Sequence, residues 1–366
     1  MKTNLVLPVL VAGIAQAELS PLSDYVKPYV DGRYRYEDRT MGSGTSNSRT
    51  LSFQAGAKIT GEWGFGGLVE YEVTTNFGEV NKFDPDQEDV NQVYLSYTND
   101  STVVKYGRQQ INIGAITAEG GQAFVGGVAW RQNEQTYDAI SLSTKALGDL
   151  SLFVAYADQV NSIFSTDTLS GETASAEGDF IFVNAEYAGV TAYYYGVNFD
   201  SAPAKEGDTF GAHTKLGGLY LEGATQNGDT YAHIAYTTKL AGKTFKFGVE
   251  QLNNQFTAPL STAHKFGGWA DALLGQRVGG GGVGTTDFYT LVGTKLPFGI
   301  TFKAVGHYFT DDTYSEVAGS EFDLLLVKQI APGVKGLIKY ADFDSAGDMG
   351  LSGDREFTTA EINFSF

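Results

Sequence analysis

Polar and apolar residues alternate along most of this chain, so that every second side chain is apolar over short segments. In the segment 49–62, Leu51 and Phe53 alternate with Ser52 and Gln54. Alternation with a period of two is typical of a β-strand that has one apolar and one polar face. The segments are roughly ten residues long, which is the length of a tilted strand that crosses a membrane. The pattern therefore predicts an all-β protein.

We predict eighteen such strands, separated by turn-forming residues. They span approximately residues 24–37, 49–62, 67–77, 90–98, 102–112, 136–145, 150–158, 178–187, 190–199, 208–216, 218–225, 230–239, 243–252, 286–295, 299–309, 319–329, 333–343 and 354–366. Because this count is even, we expect both ends of the chain on the same side of the membrane.

The connections between these strands alternate between short and long. The short set includes 64–66, 99–101, 147–149, 241–242, 298–299 and 331–332. Each of these contains Gly, Pro, Asn or Asp, which favour tight turns. The long set includes 38–48, 78–89, 113–135, 159–177, 253–285 and 344–353, with 226–229 as its weakest member. Short periplasmic turns and long extracellular loops are typical of outer-membrane barrels, and a soluble β-sandwich has no need of this alternation.

The polar faces of the strands are as regular as the apolar ones. In the first strand, Val26 and Val30 share one face, and Lys27, Asp31 and Arg33 share the other. This combination fits an apolar surface toward lipid and a wet lumen. A sheet in lipid must also close, because lipid cannot satisfy the backbone groups of an open edge. We therefore predict a transmembrane antiparallel β-barrel.

The N-terminus has the pattern of a secretory signal peptide. Lys2 precedes an apolar run at residues 5–14, and Ala15 and Ala17 form a small-x-small cleavage pattern. The run is too short to span a bilayer as a helix. We predict a signal peptide at residues 1–17 and a barrel at residues 18–366. This segment alone would also fit a secreted or periplasmic soluble protein.

The last strand ends on an aromatic residue. Ile362, Phe364 and the terminal Phe366 share one face of this strand. This ending resembles the recognition signal that the barrel-assembly machinery reads. We therefore expect Phe366 to be an assembly signal, and we expect that machinery, outer-membrane lipid and lipopolysaccharide as partners.

Composition narrows the classes of function. The chain has 366 residues and no cysteine, which excludes disulfides and cysteine metal sites. Its formal net charge of -18 argues against nucleic acid as a partner, because phosphates attract lysine and arginine. The 21 tyrosines and 24 phenylalanines suit strands, and the 46 glycines suit turns.

Several basic residues fall on the predicted lumen face, although the whole chain is acidic. They are Lys27, Arg33, Arg35, Lys58, Lys105, Lys215, Lys246, Lys303, Lys335 and Lys339. Acidic residues on the same face are Asp31, Glu70, Glu72, Glu222 and Glu250. These charges fit either cross-strand ion pairs that hold a polar wall or a basic strip that attracts anionic solutes, and both can hold at once. We predict a mild anion preference.

The acidic excess lies mainly in the long connections, for example at Glu79, Asp84, Asp86, Glu88 and Asp89. We favour solvated loops. The alternative is bridging to lipopolysaccharide phosphates through divalent cations, which carboxylate oxygens bind well. The spacing matches no ion-binding loop, so we assign no metal site and expect no cofactor.

Two long connections are the candidates for a constriction in the lumen. The connection 113–135 carries Trp130 and Arg131, and the connection 253–285 carries Trp269, Asp271 and Arg277. Loops of this length are often functional. We predict that they fold into the lumen as a partial plug or gate. Arg131 fits either the pore wall or a structural hydrogen-bond hub under the loop.

Four stretches carry a family resemblance. They read GRQQIN at 107–112, FVGGVAWRQNEQTYDA at 124–139, APLS at 258–261 and HKFGGWAD at 264–271. They resemble the alginate-export family of outer-membrane porins. The resemblance implies a monomeric barrel of eighteen strands that acts as a channel. Residues 114–123 are longer and less charged than the lead-in of that family, so the resemblance does not define the constriction there.

We therefore predict an outer-membrane channel for passive diffusion of small hydrophilic solutes, including anionic ones, or oligosaccharides. The alternatives are a general sixteen-stranded trimeric porin and a dedicated export channel for an acidic polysaccharide such as alginate. A structural or adhesive role through the acidic loops is a further alternative. Catalysis is not expected, because His213, His233, His264 and His307 lie on separate segments without a Gly-x-Ser-x-Gly motif.

Overall fold

The computed structural model describes a defined part of the chain. The described residues are 24–78, 84–113, 124–126, 131–164, 175–201, 206–253, 255–258, 260–261, 267–274, 283–349, 351 and 353–366. The proposed signal peptide and the predicted residues Trp130, His264 and Arg277 lie outside them.

Eighteen strands form one large sheet, and two short strands form a second. The large sheet contains β1 (Val26–Met41), β2 (Gly44–Thr60), β3 (Phe65–Asn76), β4 (Gln87–Thr98), β5 (Thr102–Gln109), β7 (Thr136–Leu147), β8 (Leu150–Asn161), β9 (Ser175–Tyr187), β10 (Val190–Phe199), β11 (Gly207–Leu216), β12 (Leu219–Gln226), β13 (Asp229–Leu240), β14 (Lys243–Leu252), β16 (Thr285–Lys295), β17 (Thr301–Asp311), β18 (Val317–Ala331), β19 (Val334–Ser345) and β20 (Arg355–Ser365). The short strands are β6 (Val125–Gly126) and β15 (Leu260–Ser261).

The large sheet closes into a barrel. Successive strands pair antiparallel, and β1 also pairs antiparallel with β20, with Tyr34 opposite Ile362. Closure leaves the sheet without an unpaired edge. The predicted barrel of eighteen strands is confirmed, and the alternative with sixteen strands is wrong on strand count.

The first long connection was predicted wrongly. Instead of a loop at 38–48, β1 and β2 continue to a tight turn, with Met41 opposite Gly44. These residues are mostly polar, so they lack the apolar period that marks a strand, yet the ladder continues through them. Asn227 and Gly228 likewise form a two-residue turn in which both φ angles are positive. The predicted strand at 102–112 ends at Gln109.

Tight turns join the strands at the opposite end of the barrel. Ala188 and Gly189 have φ angles of 51° and 80°, and Ala241 and Gly242 have φ angles of 50° and 74°. Two consecutive positive φ angles define the type I′ turn, whose twist matches that of the flanking strands. We call this the short-turn end of the barrel and the other the long-loop end.

The two faces of the barrel wall differ in character. The outward face carries large exposed apolar side chains, among them Ile59, Leu95, Tyr106, Ile140, Phe210, Ile234, Phe247 and Ile338. The inward face is polar or aromatic. The buried apolar residues form two clusters, one that includes Phe124, Tyr231 and Leu260 and one that includes Trp269 and Tyr289. Both clusters combine wall residues with residues of the long connections, so the core of this protein lies inside the lumen.

Candidate functional site: the constricted lumen

Two long connections meet inside the barrel. We call the connection between β5 and β7 the first lumen loop, and the connection between β14 and β16 the second. Their short strands pair in parallel, with Val125 opposite Leu260. Gln135 donates a hydrogen bond of 2.6 Å to the carbonyl of Leu260. At Gly126, φ is 107° and a Cβ would lie 2.4 Å from the carbonyl oxygen of Ile111. Glycine is therefore required where the two loops pair.

Aromatic packing fixes this pair of loops to one wall of the barrel. Phe124 of the first loop has its ring centroid 5.0 Å from that of Tyr231 and 6.0 Å from that of Tyr193. Phe256 of the second loop stacks on Tyr231 at 5.6 Å. Edge-to-face and stacked rings at these distances stabilise a packed cluster beyond the area they bury. The lumen is therefore filled by apolar contacts on the side of β9 to β14.

Charged groups fix the first loop to the opposite wall. Arg131 pairs with Asp271 of the second loop at 2.9 Å and lies 3.9 Å from Glu37 of β1. Asp84, in the connection between β3 and β4, pairs with Arg35 at 3.1 Å and accepts the backbone N–H of Gln132 at 2.7 Å. The first lumen loop and the connection between β3 and β4 therefore meet β1 through ion pairs, and the second lumen loop joins them through Arg131.

This network changes the interpretation of two predicted pore-lining residues. Arg35 is 1% exposed and Arg131 is 3% exposed, so both side chains are almost fully buried. Arg35 pairs with Glu361 at 2.8 Å, and Lys339 pairs with the same carboxylate at 3.3 Å. The loops cover Arg35 on the wall, whereas Arg131 belongs to the first lumen loop and is buried against that wall. The contacts of Arg131 fit a structural hub under the loop, which is one of the two roles that the sequence allowed for this residue.

Arg33 has a more open position than Arg35. Its Nε donates a hydrogen bond of 2.9 Å to Asn363, and its Nη1 donates one of 2.7 Å to the carbonyl of Arg131. The side chain of Arg33 is 22% exposed. It also lines a cavity of about 330 Å³ together with Arg131, Glu134 and Lys335. Arg33 and Lys335 are therefore predicted pore-lining residues that do face a cavity.

The carboxylates beside this cavity accept hydrogen bonds from neutral side chains. Glu70 accepts hydrogen bonds from Tyr29 at 2.6 Å and from Asn91 at 2.9 Å. Asn91 also donates to Glu134 of the first loop at 2.9 Å. Burial raises the pKa of Glu134. Glu72 accepts a hydrogen bond from Gln54 at 3.1 Å. Carboxylates on this side therefore hold the loop to β3 and β4.

Two further acidic residues predicted on the lumen face contact tyrosines. Glu222 accepts hydrogen bonds from Tyr193 at 2.9 Å and Tyr220 at 2.6 Å. Glu250 accepts one from Tyr231 at 2.7 Å. The apolar wall beneath the loops is thus joined to a row of tyrosine–glutamate hydrogen bonds.

The second loop is held by the wall on its far side. Glu321 of β18 accepts hydrogen bonds from the backbone N–H groups of Trp269 and Ala270, the latter at 2.7 Å. Arg355 of β20 donates a hydrogen bond of 2.6 Å to the carbonyl of Asp271. The predicted constriction residues Trp269 and Asp271 are therefore buried between the wall and the first loop.

Most of the remaining predicted basic residues lie in the part of the lumen toward the short-turn end. Lys27 lies opposite Lys58 in the ladder. Lys58 lies 5.9 Å from the ring centroid of Tyr29, and Lys105 lies 4.6 Å from that of Tyr94. Ring faces attract cations at such distances.

A larger cavity of about 820 Å³ lies against β11 to β17 near the short-turn end. Its lining includes the predicted residues Lys215, Lys246 and Lys303. It also includes Lys239 and Lys295, which were missed in the sequence. The alternation along each strand would have predicted both, because the position of each lysine differs by an even number from that of a lumen-facing residue in the same strand.

Two of the three histidines of the described wall lie beside polar groups. His233 lies 2.8 Å from the hydroxyl of Tyr289, and the Nδ1 of His307 lies 3.0 Å from Asp287. Both imidazole rings are therefore part of the polar wall of the lumen.

Solved structures with a similar architecture are known, although comparisons of the sequence found no match. No family model matches the chain, and no curated protein matches its sequence. OccK8 (OprE) of Pseudomonas aeruginosa matches with a TM-score of 0.64 at 14% identity, over 93% of this chain and 98% of that one. OccAB1 of Acinetobacter baumannii matches with a TM-score of 0.65 at 12% identity, over 93% and 96%. The outer membrane protein OpdK of Pseudomonas aeruginosa matches with a TM-score of 0.64 at 11% identity, over 94% and 99%.

The chain has the fold of these proteins. At 11–14% identity, the likeness concerns the fold alone. No family model supports the resemblance of the four stretches to the alginate-export family. Among the described residues, no helix combines the length and hydropathy needed to cross a bilayer.

Proposed function

We propose that this protein is a channel of the Gram-negative outer membrane for passive diffusion of small hydrophilic solutes, with a preference for anions. The observation that carries the proposal is a closed barrel with an apolar outward face and a polar lumen. An apolar outward face is the surface that lipid solvates, and closure satisfies all strand hydrogen bonds within lipid.

The proposed orientation follows from the connections. The short-turn end would face the periplasm and the long-loop end the exterior, as in other outer-membrane barrels. The signal peptide proposed at residues 1–17 provides export, and the terminal Phe366 provides the signal for the barrel-assembly machinery. Outer-membrane lipid and lipopolysaccharide would surround the barrel.

The loop-filled lumen favours small solutes over a polymer. The two lumen loops are held by ion pairs on one wall and by aromatic packing on the other. The cavities beside them measure about 330 Å³ and 820 Å³, which suits small molecules. OpdK has also been solved with vanillate, at 13% identity to this chain. We therefore place small solutes before export of an acidic polysaccharide, which the resemblance to the alginate-export family would imply.

The preference for anions is proposed from the basic residues along the lumen. Arg33, Lys335 and the lysines of the larger cavity face open space at the short-turn half of the barrel. A wall of one charge sign raises the local concentration of the opposite ion.

Planar bilayer recording tests both parts of the proposal. The purified barrel should open stable conductance steps, and its reversal potential in a KCl gradient should have the sign of chloride selectivity. Folded protein that opens no channels would contradict the diffusion function, and a clear cation preference would contradict the anion part alone. Native mass measurement should give a monomer, whereas a trimer would favour assembly like that of general porins.

A further inference from the structure

One cavity of the lumen wall is lined by five lysines. We call it the lysine pocket, and its lysines are Lys215, Lys239, Lys246, Lys295 and Lys303. It measures about 820 Å³ and lies at the short-turn end, below the lumen loops. Among the described residues that line it, none is aspartate or glutamate.

The strand register explains why these lysines surround one space. Lys239, Thr244, Gly293 and Lys303 follow one another across β13, β14, β16 and β17 in a single row. Adjacent strands in such a row are about 4.8 Å apart, and inward positions along a strand are about 7 Å apart. Lys239 and Lys303 therefore stand at the two ends of a short row whose middle positions are small.

The other lysines close this space from above and below. Lys246 lies one inward position from Thr244 toward the long-loop end, opposite Leu291. Lys295 lies one inward position from Gly293 toward the short-turn end, opposite Thr301. Long basic side chains thus surround a floor of small residues.

The floor of the pocket has room and hydrogen-bond donors. A Cβ built on Gly293 would have its nearest neighbours only at 3.9 Å, so the wall is open at this point. The hydroxyls of Thr237, Thr244 and Thr301 lie among the lining residues. Hydroxyl groups can donate to phosphate or carboxylate oxygens.

Two of the lysines also contact aromatic rings. Lys215 lies 5.8 Å from the ring centroid of Tyr220, and Lys246 lies 5.4 Å from that of Tyr289. Cation–π contacts at this distance keep an ammonium group against the wall of the pocket.

The charge of this pocket differs from that of the smaller cavity. The cavity of about 330 Å³ mixes Arg33, Arg131 and Lys335 with Asp31 and Glu134. A singly charged solute would meet both signs there. In the lysine pocket, several ammonium groups repel one another, and this repulsion is relieved most by a ligand that carries several negative charges at once.

We propose that the lysine pocket is a binding site for small solutes that carry phosphate groups, with two or more negative charges. Lysine is a compact, strongly hydrated point charge with three donors, which suits the oxygens of phosphate. This inference rests on the proposed channel function. The site lies on the periplasmic half of the pathway. It would bind an entering solute after the solute has passed the loops and a leaving solute before it reaches them.

Blockade of single channels by phosphates tests the site. Inorganic phosphate, tripolyphosphate and acetate are added at equal ionic strength to the short-turn side of the wild-type channel. Tripolyphosphate should block the current at the lowest concentration and acetate at the highest. In the K239Q/K295Q variant, the blocking concentration of tripolyphosphate should rise by about tenfold, as expected for the loss of two exposed ion pairs.

The control variant removes the same charge from another part of the lumen. Lys58 and Lys145 do not line the lysine pocket. In K58Q/K145Q, the blocking concentration should change by less than about twofold, because only the general field of the lumen is altered. Equal effects of the two variants would overturn the site in favour of that general field.

A second measurement tests binding at the site independently of conductance through the channel. Binding of tripolyphosphate to the detergent-solubilised barrel is followed by ³¹P NMR line broadening, which requires no conductance. Broadening by wild-type protein and its loss in K239Q/K295Q support the site. Open channels without block or broadening would overturn the site and leave the channel function intact. Absence of conductance with normal broadening would contradict the channel alone.

Discussion

At the scale of single residues, the lumen of this barrel is organised by buried charges that have several partners. Arg131 is the central one, because it joins the first lumen loop, the second lumen loop and β1 through Asp271 and Glu37. A buried ion pair contributes little net stability compared with apolar packing, but removal of one partner leaves an uncompensated charge. Such groups therefore define where the loops lie more than how stable the barrel is.

Replacement of Arg131 should release the loops. In Arg131→Met, Asp271 loses its 2.9 Å partner, and the cost should be about 3–5 kcal/mol for this buried site. We expect a larger and noisier single-channel conductance with a lower denaturation midpoint. Arg108→Met is the control, because Arg108 pairs with Asp138 where both side chains are partly exposed. It should cost at most about 1 kcal/mol. Equal effects of the two changes would show that Arg131 is not the hub.

Arg33 and Arg35 should behave differently, although both were predicted to line the pore. Arg33→Gln removes a charge that faces the smaller cavity, so the anion preference should fall while the barrel stays folded. Arg35→Gln breaks the buried pairs with Asp84 and Glu361, so it should mainly lower stability. Reversal potentials and urea midpoints measured on both variants would distinguish these effects. An unchanged reversal potential in Arg33→Gln would remove Arg33 from the ion pathway.

At the scale of elements, each strand presents one face to the outside and one to the lumen, and each face has its own tolerance for charge. Phe247 and Lys246 are neighbours in β14, yet Phe247 is 48% exposed on the outward face and Lys246 lines a cavity. The apolar row on the outward face is required only if lipid contacts it.

An arginine on the outward face should therefore be costly. Phe247 lies near the centre of β14, and Phe247→Arg should lower the unfolding free energy by about 2–4 kcal/mol if this position is near the middle of the bilayer. Ser143→Arg is the control, since Ser143 lines a lumen cavity between β5 and β9. The measurement is equilibrium unfolding in urea with the barrel in phospholipid vesicles. Similar costs at both positions would argue against a lipid-facing surface at Phe247.

At the scale of the whole molecule, closure depends on the two terminal strands. β20 pairs with β1 on one side and β19 on the other, and the backbone groups of Phe366 and Val30 exchange two hydrogen bonds of 2.9 Å. The aromatic ring of Phe366 is 73% exposed, so it contributes little to packing in the finished barrel. Exposure of this ring is compatible with a role before closure, during assembly.

Phe366→Ala should reduce assembly more than stability, because it removes the ring and keeps the two backbone hydrogen bonds with Val30. We expect less folded barrel in the outer membrane of cells, measured as the heat-modifiable form on gels. The barrel that does form should keep its conductance, because the described contacts of Phe366 are with Val30 and Phe364 of the wall. Ser365→Ala is the control and should assemble normally. Full yield of Phe366→Ala would exclude the ring of Phe366 as an assembly signal.

The strand pattern was predictable because its causes are local. Alternation with period two and turn residues such as Gly242 are read from neighbouring positions, and the eighteen predicted strands all appear in the structure. The main error, at 38–48, arose where both faces of a hairpin are polar and the local signal is lost.

The sequence by itself therefore determined a closed β-barrel with a polar lumen, and it named most of the inward basic residues. Only the tertiary structure decided which of them remain open. Arg131 and Asp271 are 140 residues apart, and Arg35 and Glu361 are 326 residues apart, so no local pattern could join them. Long-range contacts cover Arg35 and leave Arg33 beside a cavity, because burial depends on where the long loops come to lie. The strand register gathers five lysines around one space, because it places residues of distant segments side by side.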